Sequence, residues 1–413
     1  MNEIEREVLR GIKPSVEEEK RVHEAIERFR NELTGLKTEV GGSVARGTWL
    51  KDIVDVDIFV KFDPKKNKSD KISDPVEKVL KKKFENVERI RGSRDYFQVP
   101  YSGYTFEVVP VMDIKNSKEA QNTTDLSPLH VRWHNKRTDK NVKDEIRITK
   151  QFCKANGVYG AESYIKGFSG YVLELLLAYY KTFSRLSKAA HKWTDKTIID
   201  IERHYTRNEV LARLNQSKIQ SPLIVVDPTW PERNAAAALS KESFEGFKKA
   251  CLEYVKKPST KFFDMKKFDL KKELNRYNPK DCFVLEMTPS LSNRDIEGTK
   301  VLKIYEKIYR RLKDQGFEIR RSGWQFDEKA VVWFVVKNGK LSRNEKHYGP
   351  PKKLEKAIEN FKKEWKGKKI GFENGRSYVV VERKYSDLIS FAEDVIKEDF
   401  VKKRVKKVSL IKV

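Results

Sequence analysis

The chain has 413 residues, of which 38% are hydrophobic, and this length is enough for two to four domains with their own cores. Its 87 lysines and arginines against 61 aspartates and glutamates give a formal net charge of +26 at pH 7, which favours a polyanionic partner because neutralised phosphates release counterions. Three scattered cysteines, a charged N-terminus and the lack of an apolar run of about 20 residues argue against a disulfide scaffold, a secretory signal and a membrane span, and predict a cytoplasmic location.

Residues 1–142 predict an α+β domain. Ser15 can cap a helix over residues 15–34, and Val22, Ile26 and Phe29 fall on one face of it. The remaining elements predicted for this domain, in chain order, are a glycine turn at 41–43, a short helix over 45–50, a strand over 55–62, a helix opened by Asp74–Pro75, and strands near 87–92, 95–100 and 104–114.

Residues 143–258 predict a mostly helical central domain. An apolar helix starts at Ser169 or Gly170, an isolated buried strand spans residues 221–227, and a helix resumes over residues 235–239.

Residues 259–413 predict a second α+β region. A strand over 282–287, a helix over 296–314 and a hairpin over 317–337 follow the β-α-β-β order of half a ferredoxin-like or RNA-recognition-type sheet. The chain ends in a basic tail, residues 401–413, of a kind that is often disordered.

The stretch from Gly41 to Val60 carries the chemistry. Asp55 and Asp57 are two residues apart on a predicted strand, so both carboxylates point to the same face. Two carboxylates on one face repel each other unless a cation lies between them, and Mg²⁺ suits carboxylates, waters and nucleotide phosphates. Ser43 at a helix start, with Arg46 on the first turn, can bind a triphosphate.

A further carboxylate is expected from a neighbouring strand, because two-metal phosphoryl transfer usually uses one. Glu107 is the only acid in the apolar run TFEVVPV, so its burial needs a reason; Asp113 is the fallback. An Asp-x-Asp pair alone is as compatible with a surface strand as with a metal site. Gly-Gly-Ser alone is a common turn. Their order, followed by an acid on a later strand, favours a nucleotide and metal site.

These motifs resemble the DNA polymerase β-like nucleotidyltransferase superfamily, and more closely the archaeal-type (class I) CCA-adding enzymes. The residues that carry the resemblance are GSVARGTWL at 42–50, DVD at 55–57, EVVP at 107–110, SPLH at 127–130, KANGVYGAE at 154–162, KGFSGYVLELL at 166–176 and DPTWPERNAAAALS at 227–240. The resemblance implies a polymerase β-like palm, a helical central domain and a C-terminal α+β body.

The resemblance also implies an activity and a site. It predicts the addition of C, C and A to the 3′ end of tRNA from CTP and ATP, with two Mg²⁺ ions held by Asp55, Asp57 and Glu107. The nucleotide would be bound by residues that match family positions: Ser43, Arg46, His130, Lys150, Tyr159 and, with a less specific match, Arg233. The family commonly has Asp where Glu107 stands, which puts the geometry and rate in question.

Several alternatives stay open at this point. By residue type alone, His130 can be a satisfied polar residue, Lys150 a surface lysine and Tyr159 a core residue. The alternative functions are another RNA 3′-nucleotidyltransferase, such as a poly(A) polymerase or an oligoadenylate synthetase-like protein, or a non-catalytic RNA-binding relative. Tyr348, Trp365 and Tyr378 lie among lysines and predict RNA contacts in the C-terminal half, and the resemblance is compatible with a homodimer.

Overall fold

The computed structural model describes residues 1–51, 55–214, 217–265, 269–290 and 293–411. The chain divides into two compact units, Met1–Lys266 and Lys267–Val413. Helices and sheets occur in both units, so the chain is a mixed α+β multidomain protein, as the sequence predicts. No helix in the described ranges has the length and hydrophobicity to span a membrane.

The first half of unit 1 holds a five-stranded sheet and the helices around it. Its elements are α1 (Glu3–Ile12), α2 (Val16–Glu32), β1 (Thr38–Val40), α3 (Gly42–Arg46), β2 (Asp55–Phe62), α4 (Ser73–Lys83), β3 (Glu88–Ile90), β4 (Tyr96–Tyr101), β5 (Tyr104–Met112) and α5 (Ser127–Arg137). The strand order is β1-β2-β5-β4-β3, and β2 runs parallel to β5.

The second half of unit 1 is mostly helical. Its elements are α6 (Lys140–Ala155), α7 (Gly170–Tyr180), α8 (Phe183–Ala190), β6 (Thr197–Asp200), α9 (Arg207–Arg213), β7 (Leu223–Asp227), β8 (Trp230–Asn234) and α10 (Lys241–Lys256). The strand predicted over residues 221–227 is not isolated, because β7 lies between β6 and β8 in a three-stranded sheet. The helix predicted over residues 235–239 is wrong, since a turn precedes α10 there.

Unit 2 contains two sheets. Its elements are α11 (Leu270–Leu274), β9 (Cys282–Thr288), α12 (Arg294–Asp314), β10 (Ile319–Phe326), β11 (Ala330–Val336), β12 (Asn344–Pro351), α13 (Glu355–Glu364), β13 (Ile370–Glu373), β14 (Arg376–Glu382), α14 (Leu388–Val395), α15 (Asp399–Lys402) and β15 (Lys407–Ile411). The sheet orders are β10-β11-β9-β15 and β12-β14-β13.

The predicted basic tail is ordered through Ile411. Residues 407–411 form the edge strand β15, antiparallel to β9, and Val408 and Leu410 pack against the core of unit 2. The alternation of Val408 and Leu410 with Lys407 and Ser409 is the period-2 pattern of a half-buried strand, which the count of basic residues obscured. Residues 412–413 of the predicted tail lie outside the described ranges.

Local sequence signals explain where the helices before and within the Gly41–Val60 stretch begin. Ser15 caps α2 in a reciprocal capping box with Glu18. The short helix lies over residues 42–46 rather than 45–50: Gly42 starts it with a φ of +60°, and Gly47, with a φ of +63°, ends it. Arg46 is therefore the last residue of α3 and not part of its first turn.

Candidate active site

The sheet of unit 1 places two predicted site carboxylates side by side. In the parallel pairing of β2 with β5, Asp57 is the register partner of Glu107. Alternate residues of β2, namely Val56, Ile58 and Val60, are buried in the core under the sheet, so Asp57 must point to the opposite face. Sequence periodicity predicted the face, and the register brings Asp57 and Glu107 together.

Burial and neighbouring charges change the acidity of the two carboxylates. Burial raises the pKa of Glu107 to about 7, and the nearby charges of Asp57 and Asp55 add to this, while the Gln98 side-chain amide, 2.9 Å from Glu107, opposes it. Burial also raises the pKa of Asp57, against the favourable charge of Arg46. Negative charge is thus costly on this face without a compensating cation.

Two glycines let the backbone of the turn approach the sheet. A Cβ atom on Gly42 would lie 1.6 Å from Asp57 Oδ2, and one on Gly41 would lie 2.5 Å from the Phe59 ring. The Gly41 N–H also donates to the Asp57 carbonyl at 2.8 Å. The Gly-Gly-Ser turn therefore lies directly against the Asp57 carboxylate, where any other residue type would displace it.

A cavity of about 560 Å³ opens over this face of the sheet. Predicted site residues that line it are Ser43, Arg46, Asp57, Glu107, His130 and Arg233. The wall also contains Arg94, Thr123, Ser169 and Tyr171, which the sequence reasoning did not single out. Loops, α3, α5, α7, β8 and the sheet all contribute, so the cavity has the size and mixed origin of a small-ligand site.

Three predicted site residues do not line the cavity. Asp55 is exposed at the start of β2. Lys150 is buried behind the cavity, and its Nζ lies 2.9 Å from Glu174 Oε1. Tyr159 is half-buried against the core of the helical part, with Lys154 Nζ 5.3 Å from the centre of its ring. The surface position that residue type alone suggests for Lys150 is therefore wrong.

The fallback carboxylate, Asp113, does not belong to this site. Its side chain pairs with Lys61 at 2.7 Å and with Lys37 at 2.6 Å. It follows Glu107 by six residues along an extended strand and its end, which corresponds to roughly 20 Å. These two lysines balance the charge of the Asp113 carboxylate.

Glu174, inside the apolar helix α7, connects two of the predicted basic residues. Its side chain has no exposed surface; it lies 2.6 Å from Arg46 Nε and 2.9 Å from Lys150 Nζ. Thr48 also donates its hydroxyl to Glu174 at 2.6 Å. Burial alone would raise the pKa of Glu174, but Arg46 and Lys150 outweigh it and hold this pKa at about 2.

Asp227, at the end of β7, likewise binds residues of the cavity wall, on the side opposite Arg46. It accepts a hydrogen bond from Arg233 at 2.6 Å and from the Tyr171 hydroxyl at 3.2 Å, and His130 Nε2 lies 3.2 Å away. The rings of His130 and Tyr171 stack with centroids 4.1 Å apart. Burial opposes ionisation of Asp227, but His130 and Arg233 hold its pKa below the ordinary value.

Hard oxygen donors are present in the cavity, although no three His, Cys, Asp or Glu side chains form a metal-binding group within the described ranges. Asp57 and Glu107 supply two adjacent carboxylates, and Asp55 is near enough for its charge to raise the pKa of both. Carboxylate oxygens of this kind are the hard ligands that Mg²⁺ prefers.

Three family models match successive parts of the chain. They are the nucleotidyltransferase domain over residues 22–143, the second domain of tRNA nucleotidyltransferase over residues 144–264, and the C-terminal domain of the CCA-adding enzyme over residues 289–409. The CCA-adding enzyme of Nanoarchaeum equitans is 35% identical over 351 residues, which cover 84% of each chain. The chain belongs to the CCA-adding enzyme family.

A second CCA-adding enzyme, from Sulfurisphaera tokodaii, is 32% identical over 402 residues, which cover 96% of this chain and 91% of the relative. Among solved structures, the Cid1 poly(U) polymerase with Mg and 3′-dATP bound has a TM-score of 0.51 at 14% identity, covering 63% of this chain and 98% of that one. This likeness shows a shared fold. The CCA-adding family and the polymerase β-like nucleotidyltransferase fold are thus the ones that the sequence motifs predicted.

In this member of the CCA-adding family, sequence reasoning missed the roles of Glu174 and Asp227. A usable signal was present: Glu174 is the one acid in the run YVLELLLAYY, and Asp227 closes the apolar strand SPLIVVD. A lone carboxylate in an apolar run needs a buried partner. That argument singled out Glu107 and applies equally to these two residues.

Proposed function

We propose that this chain adds C, C and A in turn to the 3′ end of tRNA by metal-assisted nucleotidyl transfer, using CTP and ATP and releasing pyrophosphate at each addition. The observation that carries the mechanism is the register pairing of Asp57 with Glu107 beside the Gly42–Ser43 turn. One face of the sheet therefore combines acceptors for cations with donors for phosphates.

The carboxylates fit a pair of divalent cations. Asp57 and Glu107 would hold them directly, and Asp55, two residues earlier on the same face, would complete the set. Bound there, Mg²⁺ would lower the pKa of the tRNA 3′-hydroxyl and offset the charge of the transition state. The raised pKa of Glu107 supports this assignment, because a cation would remove the repulsion that causes part of it.

The basic and polar residues would orient the nucleotide. Ser43 and Arg46, at the α3 side of the cavity, would bind the triphosphate, while His130 and Arg233 on the opposite wall would contact the remainder of the nucleotide. Lys150 and Tyr159 would support the site without lining the cavity, since Lys150 contacts Glu174 and Thr48. Orientation of the α-phosphate for in-line attack is the main contribution a protein can make to such a reaction.

Unit 2 would bind the body of the tRNA. On the outer face of the β12-β14-β13 sheet, Tyr348 is paired with Tyr378, and Lys346 Nζ lies 4.8 Å from the Tyr378 ring. Aromatic rings beside cations suit exposed bases and phosphates. Trp365 does not share this face, because it packs against His347 next to α13.

An end-addition assay tests the proposal. The protein is incubated with Mg²⁺ and tRNA that lacks its 3′ end, with each nucleotide alone and with CTP and ATP together, and products are read at single-nucleotide resolution. Two C residues followed by one A, and then arrest, are expected. Unlimited addition of A would instead indicate a poly(A) polymerase, and no addition would indicate a non-catalytic RNA-binding relative.

The homodimer and the cytoplasmic location that the sequence suggests stay predictions.

A further inference from the structure

Two buried carboxylates, Glu174 and Asp227, hold the cavity residues that a nucleotide would contact. Neither side chain has exposed surface, and neither lines the cavity. Each nevertheless binds residues that do, and each comes from the part of the chain that matches the second-domain family model. Breaking a buried ion pair leaves an uncompensated charge, so such carboxylates fix their partners firmly.

Glu174 acts on the phosphate side. Its Oε2 is 2.6 Å from Arg46 Nε, and its Oε1 accepts hydrogen bonds from Lys150 Nζ and from the hydroxyl of Thr48. Arg46 ends the helix that starts at the Gly42 turn, so this contact sets where the guanidinium enters the cavity. Every nucleoside triphosphate carries the same phosphates, and a residue that positions Arg46 therefore affects all nucleotides alike.

Asp227 acts on a wall of different chemistry. Tyr171 and Arg233 offer a flat ring and a planar guanidinium, with the Arg233 Cζ atom 6.0 Å from the centre of the ring, and Asp227 binds both of them. Flat groups of this kind suit a base. A guanidinium only donates hydrogen bonds. In a fixed position it can therefore donate to the unprotonated ring nitrogen of cytosine or adenine, whereas the N–H at that edge of uracil or guanine offers it no acceptor.

We propose that the two carboxylates divide the positioning of the nucleotide. Glu174 holds Arg46 for the phosphates common to all nucleotides, whereas Asp227 holds Arg233 and His130 and thereby sets which base is accepted. Both are positioning residues, and the inference rests on the proposed nucleotidyl transfer.

Two matched pairs of variants separate the roles. Glu174→Gln and Asp227→Asn remove each charge at constant shape. Thr48→Val and Thr229→Val remove one hydroxyl donor from each carboxylate, since Thr229 donates to Asp227 at 2.9 Å. Two quantities are measured in Mg²⁺ buffer: the Kd for pyrophosphate by calorimetry, and the ratio of kcat/KM for CTP over UTP in a single addition to tRNA lacking its 3′ end.

We expect Glu174→Gln to weaken pyrophosphate binding by about threefold to tenfold, the cost of ordering a freed side chain, with the CTP-to-UTP ratio unchanged within about twofold. Burial already lowers the pKa of Lys150 and Glu174 opposes this, so loss of Glu174 lowers that pKa further and works against a gain of positive charge in the cluster. Asp227→Asn should lower the ratio by about tenfold or more and leave the pyrophosphate Kd within about twofold. The threonine variants should change the same quantities by smaller factors.

Equal losses for CTP and UTP in Asp227→Asn, or an altered ratio in Glu174→Gln, would overturn the division. If either charge variant fails to fold, as judged by its circular dichroism melt, the threonine variant of that pair decides. A wild-type protein that adds no nucleotide refutes the proposed function, whereas the pyrophosphate measurement still tests Glu174.

Discussion

Asp57 on β2 and Glu107 on β5 are register partners in adjacent parallel strands, with the Asp57 carboxylate pressed against the backbone of Gly42. They are 50 positions apart in the chain, yet the sheet makes them immediate neighbours. Burial raises the pKa of both carboxylates, and the charge of Asp57 raises that of Glu107 further. The pairing leads to the following predictions.

Asp57→Asn should abolish nucleotide addition and leave tRNA affinity nearly intact. The amide keeps the shape but removes the charge that would hold a cation, and several kcal/mol of transition-state stabilisation correspond to about 10² to 10⁴-fold in rate. Single-turnover end addition measures the first effect and a filter-binding titration with tRNA the second. A variant that retains wild-type addition would remove Asp57 from the mechanism.

Gly42→Ala should lower both activity and stability. Its φ of +60° costs an L-residue about 1–2 kcal/mol, and the added Cβ must displace the Asp57 carboxylate 1.6 Å away. Gly35→Ala is the matched control, because Gly35 has a φ of +86° and no atom within 4 Å of an added Cβ. Both variants should lose stability through the positive φ, Gly42→Ala at least as much as Gly35→Ala, and activity should be lost only in Gly42→Ala; equal activities would refute the close-approach argument.

Glu107→Gln should stabilise the metal-free protein above pH 7. The pKa of Glu107 is raised from 4.5 to about 7 in the folded chain, so the folded state holds the extra proton between these values. Stability therefore falls as pH rises from 4.5 to 7, by up to about 3 kcal/mol, and the amide removes that loss. Urea unfolding in a chelator at pH 4.5 and at pH 8 measures the difference.

Mg²⁺ supplies the control for this variant. Added to the wild type at pH 8, it should restore stability, because a bound cation offsets the carboxylate charge; Glu107→Gln should respond less. The same response to Mg²⁺ in both proteins would show that Glu107 holds no cation.

Leu410→Ala should destabilise unit 2. Leu410 lies on β15 and packs against its core, and truncation of a partly buried leucine costs about 1–3 kcal/mol. Ser409→Ala, at the neighbouring position on the other face of the strand, is the control and should be nearly neutral. Thermal unfolding compares the two variants. An unchanged melting temperature in Leu410→Ala would show that Leu410 does not pack against the core of unit 2.

Local patterns in the sequence determined much of this protein. Ser15 with Glu18 specifies the start of α2, the alternation of residues 55–62 specifies β2 and the face of Asp57, and Asn374–Gly375 specifies the turn between β13 and β14. These signals depend on backbone geometry and side-chain spacing within a few residues, so they can be read without the rest of the chain.

Only the tertiary structure decided which side chains meet. Glu174 lies 126 residues from Thr48 and 24 from Lys150, and Asp227 joins His130, Tyr171 and Arg233 from three separate elements. It also placed Lys150 and Tyr159 away from the cavity wall and residues 407–411 of the basic tail in a strand. The physical reason is that strand register and buried ion pairs are set by the packing of distant segments, for which no periodicity in a single segment provides a signal.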